Sequence, residues 1–594
     1  MKEKKIIITV ISIFLTLIIG CTIYFKFIRK DNTVSLKTNQ SDNIDDIDFS
    51  NYKKYSINLT DSYTIENAGV YTFTGTLNNG SITVDTTDNI KIILDNVSIT
   101  NESGPAILVE NSNVVYIETK DGTTNTLTDG SSFSNEEYDA TIYSKDDLVL
   151  CGSGTLIINS NYNNAIKSKD DLKIKSGSYE ITSIDDGIIA KDSLVIDNGK
   201  FTIETKGDAI KATNDADEKL GYILINDGEF NITSTTDAIQ AVTDITINNG
   251  KFNIKTSNGS SNVSTNSNWG NFTDKNSNES SAKGIKAQNN IVINGGTFNI
   301  DSSDDSIHSN NSVKITNGNI TINSGDDGIH ADSTIIIDNG NINIQKSYEG
   351  IEAKEITINN GTINVVASDD GFNGAGGNDS SSIGGRPGEN NFSEGGDSTI
   401  NINGGSIYVD SKGDGIDSNG SIYMNGGTVI VNGPTDNGNG ALDYNAEFII
   451  TDGTLIASGS AGMSQSISSN SSQNGIMINF NSSINSGDVI TIKDSNDNEI
   501  ITYSSSKNYQ NLVISTSDLK TGQTYTIYTN GTSSKENTNG LYENGGFSGG
   551  TQYQSFTINS IITNIGNTSS MDRGQMQNGQ MAPARDENQK MQRR

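Results

Sequence analysis

The chain has 594 residues, with 72 acidic and 40 basic side chains and a net charge of −32. Such a surface repels nucleic acid and anionic lipid, so it favours cations, or anionic polymers held through bridging cations. Only two cysteines and four prolines stand against 61 glycines, which excludes a disulfide framework and indicates many strands joined by tight turns.

Residues 1–30 are typical of an export and anchoring segment. Three lysines in the first five residues precede an uncharged, mostly apolar run at 6–25. Its roughly 20 residues suit one membrane-spanning helix better than the shorter apolar core of a cleaved signal. Alternatively, Ile18-Ile-Gly-Cys21 is a lipoprotein cleavage box and Cys21 carries the lipid. Either way, we expect the rest of the chain on the extracellular face of the membrane, after an acidic linker at 31–55.

Two short motifs alternate through residues 56–455 with a period of about 22 residues. The first is apolar-x-apolar-x-x-Gly-x-apolar-x-apolar, as in Leu172–Ile181 and Leu194–Ile203. The second is an acid, a small residue and an isoleucine, as in Asp186-Gly-Ile and Asp327-Gly-Ile. The glycine of the first motif recurs, mostly 21 or 22 residues apart, at 177, 199, 228, 250, 296, 318, 340, 361, 405, 427 and 453.

Alternation of apolar and polar residues over three to five positions indicates strands. Strands broken by turns in every 22 residues close into a coil that stacks on the next one, about 4.8 Å away. The pattern therefore predicts an all-β fold, a right-handed parallel β-helix over 56–455, because a flexible Asn/Ser-rich linker would not keep this phase. We expect a small β cap at 456–563 and a disordered tail at 564–594. Insertions at 257–282 and 374–397 are either binding loops or disordered decoration.

Stacking of the coils brings acidic residues into columns. At roughly 5 Å, adjacent carboxylates repel by about 3 kcal/mol at an effective dielectric constant near 20. Calcium between the coils would remove this repulsion, since it accepts six to eight oxygen ligands in loose geometry. The alternative is that they are solvated aspartates selected for turn geometry. The candidate calcium ligands are Asp185, Asp186, Asp208, Asp237, Asp304, Asp305, Asp326, Asp327, Glu349, Asp369, Asp370 and Asp414.

A second column is formed by the outward residue two places after the small residue of the second motif. It includes His308 and His330, the only histidines, which are 22 residues apart and should stack. We interpret them as polar surface on an exposed strand, with contact to a glycan or a transition metal as the alternatives. Aromatic faces elsewhere suit stacking on sugars. The candidate carbohydrate-binding residues are Trp269, Lys211, Lys286, His308, His330, Tyr408 and Tyr423.

Several segments carry a resemblance to a known family. They include Gly69-Val-Tyr-Thr-Phe-Thr-Gly75, Gly104-Pro-Ala-Ile-Leu-Val109 and the Asp-Asp-Gly-Ile coils. Over about residues 56–563 the chain resembles the carbohydrate-binding β-helix family of clostridial and related bacteria. The resemblance implies cell-surface binding of plant-type polysaccharide, cellulose or pectin-like, with calcium on the aspartates of the Asp-Asp-Gly-Ile motif. It also implies a fold similar to β-helical pectate lyases, without their lytic activity.

We therefore expect a non-catalytic polysaccharide-binding protein with calcium as cofactor and no nucleic-acid partner. One alternative is a calcium-dependent polysaccharide lyase with Lys211 or Lys286 as the base. Another is a surface adhesin or spacer without a glycan site. Cys151 has no base nearby in the sequence and is expected to be a buried filler rather than a nucleophile.

Overall fold

The computed structural model describes residue 44 and residues 46–262, 281–375 and 395–566. The predicted membrane anchor with Cys21, the candidate Trp269, most of both insertions and the tail from 567 lie outside these residues. The described residues contain no α-helix; their only helical turns are the 3-10 turns Gly259–Asn262 and Gly395–Asp397. None of their helices is long and apolar enough to cross a membrane.

Three parallel faces wind around a common core. Strands of the first face are Lys54–Leu59, Gly69–Leu77, Asn89–Asn101, Val114–Thr119, Asp147–Gly152, Leu172–Ile174, Ser193–Ile196, Tyr222–Ile225, Ile245–Ile247, Asn290–Ile293, Ser312–Ile315, Ile329–Ile337, Ile351–Ile358, Thr399–Ile402, Ser421–Met424 and Phe448–Ile450. Strands of the second face are Thr124–Asp129, Thr155–Ser160, Ser178–Ser183, Lys200–Thr205, Glu229–Ser234, Lys251–Thr256, Thr297–Asp301, Asn319–Asn323, Asn341–Lys346, Thr362–Ala367, Ser406–Ser411, Thr428–Asn432 and Thr454–Gly459. Strands of the third face are Tyr63–Ile65, Ile82–Asp85, Ile107–Asn111, Ala140–Ser144, Asn164–Ser168, Ile188–Ala190, Ile210–Ala212, Ile239–Ala241, Ile285–Ala287, Ile307–Ser309, the first residues of Ile329–Ile337 and Ile351–Ile358, Phe372–Gly374, Ile416–Ser418 and Leu442–Tyr444.

Each strand pairs in parallel with its equivalent one coil later. Thus Tyr179 lies opposite Phe201 and Ile188 lies opposite Ile210, both 22 residues apart. Phe252 pairs directly with Phe298, so the register continues across the insertion at 257–282. The prediction of an all-β fold with a large parallel sheet, wound as in a β-helix, is confirmed.

Inward-facing residues form stacked rows in the core. On the second face, the rings of Phe201, Phe230, Phe252 and Phe298 lie 4.6–4.7 Å apart and within 3° of parallel. This distance matches the strand spacing of about 4.8 Å, so each ring sits directly on the ring of the coil below. The rows explain why the same residue types recur in phase.

The recurring glycine stands where the backbone turns into the second face. Gly340 has φ of +124°, and a Cβ placed there would lie 3.0 Å from the carbonyl oxygen of Gly318 in the preceding coil. Both the positive φ and the close approach favour glycine. The requirement is repeated in every coil because the coils are equivalent.

After Gly459 the chain leaves the coil. Thr454–Gly459 pairs antiparallel with Tyr509–Ser515, which also pairs with Gly475–Ile484, and this covers the edge of the last coil. Most of the remaining strands form a seven-stranded sheet. The strands of this region are Gly475–Ile484, Val489–Asp494, Glu499–Tyr503, Tyr509–Ser515, Thr524–Ser533, Asn537–Thr538, Leu541–Tyr542, Phe547–Ser548, Thr551–Thr557 and Ile562–Gly566.

The stacked core leads to a stability prediction. Phe252→Ala should lower the free energy of unfolding by about 3–5 kcal/mol, because it opens a cavity between two rings. The exposed neighbour Lys251 points away from the core, so Lys251→Ala should change it by about 0.5 kcal/mol or less. Urea unfolding followed by circular dichroism measures both, and equal effects would contradict an inward Phe252.

Candidate cation and carbohydrate site

Eight coils place an acidic side chain in the turn that leads into the third face. We call these residues the acid column: Asp186, Asp208, Asp237, Asp305, Asp327, Glu349, Asp370 and Asp414. The first six are buried, and Asp370 and Asp414 are partly exposed. In the coil between Asp237 and Asp305, Lys283 occupies the equivalent position.

Most of these carboxylates hold the backbone of the following coil. Seven backbone N–H groups donate to one carboxylate oxygen of the acid one coil earlier, at 2.5–3.2 Å: those of Asp208, Asp237, Lys283, Asp327, Glu349, Asp414 and Gly440. A buried N–H needs an acceptor, and here the acid supplies it. This structural role was missed from the sequence. It leaves only the second oxygen of each of these carboxylates for a cation.

The predicted second column is confirmed by the register, and we call it the outer column: Lys211, Gln240, Lys286, His308, His330, Glu352, Asn373 and Asp417. It lies three residues after the acid column in each coil. The side chains of the two columns therefore face one another. Because the outer column changes from basic to acidic along its length, it divides the acid column into two halves.

In the first half, lysines neutralise the acids. Lys211 Nζ lies 2.8 Å from Asp208 and 3.1 Å from Asp186, and Lys286 Nζ lies 3.1 Å from Asp237. Burial opposes the charge on Lys211, but these two carboxylates outweigh it and raise the pKa of Lys211. Asp186, Asp208 and Asp237, predicted as calcium ligands, therefore have a cation supplied by the fold.

Lys283 has the same function one coil later. It is 3% exposed, and its Nζ lies 2.6 Å from Asp305 and 3.0 Å from Asp304. Burial works against both charges, yet Lys283 and His308 hold the pKa of Asp305 well below its usual range. An ammonium group thus occupies the place between Asp304 and Asp305 where calcium was predicted.

The interpretation of the two histidines as exposed polar surface was wrong. His308 and His330 are buried, at 7% and 1% exposure, and their rings stack at 4.9 Å as predicted. Side chains of the acid column and of the neighbouring coils surround them, because the two columns pack laterally. Burial lowers the pKa of His330, but hydrogen bonds to Asp327, Asp332 and Glu352 reverse this and raise it well above its ordinary value.

In the second half, the acids face other acids. Ligand oxygens of Asp370, Asp414 and Asp417 lie within 4.8 Å of one another. Burial, reinforced by neighbouring carboxylates, raises the pKa of Asp414 to about 7 and that of Asp417 to about 8. Within the described residues, the ion pairs made to the acid column end at His330.

Asn373 belongs to the same region. It is 2% exposed, and its Nδ2 donates to Glu349 Oε2 at 2.7 Å. Its Oδ1 has no hydrogen-bond partner. Asn373 pairs in register with Asp417 of the next coil. A buried oxygen without a donor therefore belongs to the coil that precedes Asp414 and Asp417.

The other predicted site residues are scattered. Asp185, Asp186 and Lys211 line a cavity of about 260 Å³ together with Lys167 and Lys191. Tyr408 packs against the C-terminal region and its hydroxyl accepts from Asn432 Nδ2 at 3.1 Å, so it is not a free platform for a sugar. Tyr423 donates to Glu447 at 3.3 Å. Asp326 and Asp369 are partly exposed next to the acid column.

From the sequence, one cluster of aspartates was missed and the burial of Cys151 was overestimated. Asp147, Asp170 and Asp171 form a further cluster, whose sequence signal was the repeated Lys-Asp-Asp-Leu at 145–148 and 169–172. Burial and neighbouring carboxylates raise the pKa of Asp147 to about 7 and that of Asp170 to about 6. Cys151 is half-buried rather than buried, and burial raises its thiol pKa to about 11, which leaves it a poor nucleophile.

Because the pKa values of these carboxyl groups are raised, the stability of the folded chain should fall as pH rises. Asp414 and Asp417 bind protons more tightly in the folded than in the unfolded chain, so their contribution is complete below about pH 4 and is lost as pH rises toward 8. In chelator, the melting temperature should fall between pH 5 and pH 8.5, and Asp417→Asn should flatten this fall. Asp61→Asn, at an exposed turn, should not. A pH profile unchanged by Asp417→Asn would contradict the burial of this carboxyl.

Comparison with known proteins gives two partial relatives. A carbohydrate-binding domain-containing protein of Acetivibrio thermocellus is 34% identical over 150 residues, 24% of this chain and 50% of the relative. The chain thus spans about half the length of that relative. A solved structure, described as the polysaccharide lyase-like protein from C. thermocellum, gadolinium derivative, is 32% identical. The match covers 34% of this chain and 90% of the other, with a TM-score of 0.33.

A family model extends the match. It covers residues 60–328 and 326–371, which together are more than half of the 594-residue chain. The matched region includes all of the basic half of the outer column and Asp370, and it ends before Asn373, Asp414 and Asp417. The chain belongs to the family of carbohydrate-binding domain-containing proteins.

Proposed function

We propose that this protein binds acidic polysaccharide, such as a pectin-like polymer, outside the cell through calcium held at the acidic half of the two columns, and that it does so without catalysis. One observation carries the proposal. Asp370, Asp414 and Asp417 converge, no lysine or histidine of the described residues pairs with them, and the unpartnered Oδ1 of Asn373 lies in the same coil as Asp370. The family membership supports a carbohydrate as the partner.

The donor set at this position suits calcium. Three carboxylates and one amide oxygen are hard oxygen ligands, which calcium prefers, and it tolerates irregular geometry. Asp370 Oδ1 and Asp414 Oδ1 accept backbone N–H groups of the next coil, so their second oxygens are available. Of the twelve predicted ligands, the proposal retains Asp370 and Asp414, and it adds Asp417 and Asn373.

The same ion can hold the polymer. With a net charge of −32, the protein repels a polyuronate unless a divalent cation lies between them. Protein ligands leave part of the calcium shell open, and uronate carboxylates or hydroxyl groups complete it. Lys167, Lys191 and Lys211 border the cavity at the other end of the outer column together with Asp185 and Asp186, and their N–H groups are further hydrogen-bond donors for hydroxyl groups of the same polymer.

The alternative lyase would use Lys211 or Lys286 as its base, and both lysines are held in ion pairs. A general base works with a pKa near the operating pH, whereas Lys211 has a raised pKa in its ion pairs with Asp186 and Asp208. Lys286 is paired with Asp237. Every arginine of the sequence lies outside the described residues. These ion pairs favour binding over elimination.

The proposal also includes the attachment of the protein to the membrane. The apolar run at 6–25 is proposed as its membrane anchor, or Cys21 as its lipid attachment, with the coil on the extracellular side. The coil is proposed to be right-handed, the sense taken by nearly all parallel β crossovers.

Calcium should stabilise the folded chain. A ligand that binds only the native state at a hundred times its dissociation constant adds about 2.7 kcal/mol, so the melting temperature at pH 7.5 should rise when calcium replaces chelator. Asp414→Asn should remove most of this rise, although asparagine still accepts the N–H of the next coil. Asp186→Asn, in the lysine half, should leave the rise intact. Loss of the rise in both variants, or in neither, would contradict the assignment.

Experiments with polygalacturonate distinguish a binding protein from a lyase. We expect retention on immobilised polymer in calcium, release by chelator and weaker retention of Asp414→Asn. No unsaturated uronate ends, which absorb in the ultraviolet, should form. Calcium-dependent growth of that absorbance, abolished by Lys211→Ala or Lys286→Ala, would show a lyase instead. Retention that chelator does not affect would remove the cation bridge.

A further inference from the structure

We propose that His330 Nδ1, Asp327 Oδ2 and Glu352 Oε2 form a second metal site, which binds a divalent transition-metal ion of the zinc and cobalt type. The site lies between the two halves of the outer column. It does not depend on the calcium proposed above, because it uses a nitrogen ligand and a different set of residues.

Three ligand atoms already converge at the spacing that such an ion requires. Nδ1 of His330 lies 3.1 Å from Glu352 Oε2 and 3.4 Å from Asp327 Oδ2, and all three atoms lie within 4.8 Å of one another. Two ligands at about 2.0–2.2 Å from a common zinc ion are about 3.0–3.5 Å apart. An ion entering here would displace the imidazole proton and leave the three side chains nearly in place.

The remaining polar atom of each ligand is held by another group. His330 Nε2 lies 3.2 Å from Asp332 Oδ1. Asp327 Oδ1 accepts the backbone N–H of Glu349 at 3.2 Å, and Glu352 Oε1 accepts from Asn373 Nδ2 at 3.3 Å. Metal-bound histidines usually donate their other ring N–H to a carboxylate, and metal-bound carboxylates are hydrogen-bonded in turn. The site has this outer set of contacts without any rearrangement.

A comparison with His308 shows how the surroundings of His330 differ from those of the neighbouring coil. His308 stacks on His330, and its Nδ1 lies 2.7 Å from Asp305 Oδ2. That carboxylate is also bound by Lys283 Nζ at 2.6 Å, so an ammonium group already holds the place of a metal. At His330 the equivalent cation is absent among the described contacts, and Glu352 adds a second carboxylate from the next coil.

The ligand types select the ion. One imidazole with two carboxylates suits zinc, cobalt and related transition metals, whereas calcium takes oxygen ligands. The Glu352 side chain is 15% exposed while those of His330 and Asp327 are almost fully buried. Entry of the ion, and any water or sugar hydroxyl that completes its coordination, is therefore on the Glu352 side.

Cobalt(II) binding to the full-length protein tests the site, since tetrahedral or five-coordinate cobalt with a nitrogen ligand absorbs visible light. We expect a single saturable cobalt spectrum in the presence of excess calcium, and its loss on addition of zinc. His330→Gln should weaken binding at least tenfold, and so should Glu352→Gln. His308→Gln, which changes the stacked neighbour, should leave the cobalt affinity unchanged.

The outcomes separate this site from the calcium site. Asp414→Asn should keep the cobalt spectrum while it loses the calcium-dependent rise in melting temperature. If His330→Gln does not fold, as circular dichroism would show, Glu352→Gln at the partly exposed ligand decides. No saturable cobalt binding by the intact protein, or binding unaffected by both variants, would overturn the proposal.

Discussion

Much of the site depends on one hydrogen bond, that between a carboxylate of one coil and the backbone N–H of the next turn. It repeats at seven of the described coil-to-coil steps, at 2.5–3.2 Å. Because the turn is buried, its N–H needs an acceptor, and a charged acceptor makes a stronger bond than a neutral one. The requirement places negative charge in coil after coil, whether or not a metal is present. The acids are therefore structural first, and what compensates their charge is a separate question.

The groups that compensate the charge of the acid column change along the molecule. Lys211 and Lys286 of the outer column compensate the early acids together with Lys283, which stands at the acid-column position of its coil, and His330 lies at the transition. Beyond it the outer column carries Glu352, Asn373 and Asp417, and no cation of the described residues pairs with Asp370, Asp414 or Asp417. Unpaired buried carboxylates are costly, and they either take up protons or bind cations. The raised pKa values of Asp414 and Asp417 are the first of these responses. The divalent cation proposed for this cluster would supply the second, so proton and metal would compete for the same oxygens.

The sequence predicted the features that follow from the 22-residue period. It did not predict how side chains of the two columns pack against one another laterally. The 22-residue phase was enough to predict the parallel coils and the stacking of His308 on His330. It could not predict that His330 is buried, because its cover comes from side chains three residues away on the same turn and one coil further on. Because the repeat does not show these lateral contacts, all the acids of the column appeared from the sequence to be equivalent candidates for calcium. Only the structure shows that Lys283 Nζ lies between Asp304 and Asp305, although the replacement of an acid by Lys283 was visible in the repeat.

A column with graded compensation has a consequence for binding a long polymer. On the proposed function, calcium at the acidic end would hold the uronate, and the lysines at the other end, which are paired with carboxylates of the fold, would add weaker contacts to the same polymer. Contacts made by one chain at both ends act together, since the second contact forms at high effective concentration once the first is made. Removal of calcium would then release the polymer, because the paired lysines alone do not overcome the net charge of −32, and short oligomers that reach only one end would bind more weakly even in calcium. The division of the outer column into a basic and an acidic half is thus better suited to an extended polysaccharide than to a small sugar.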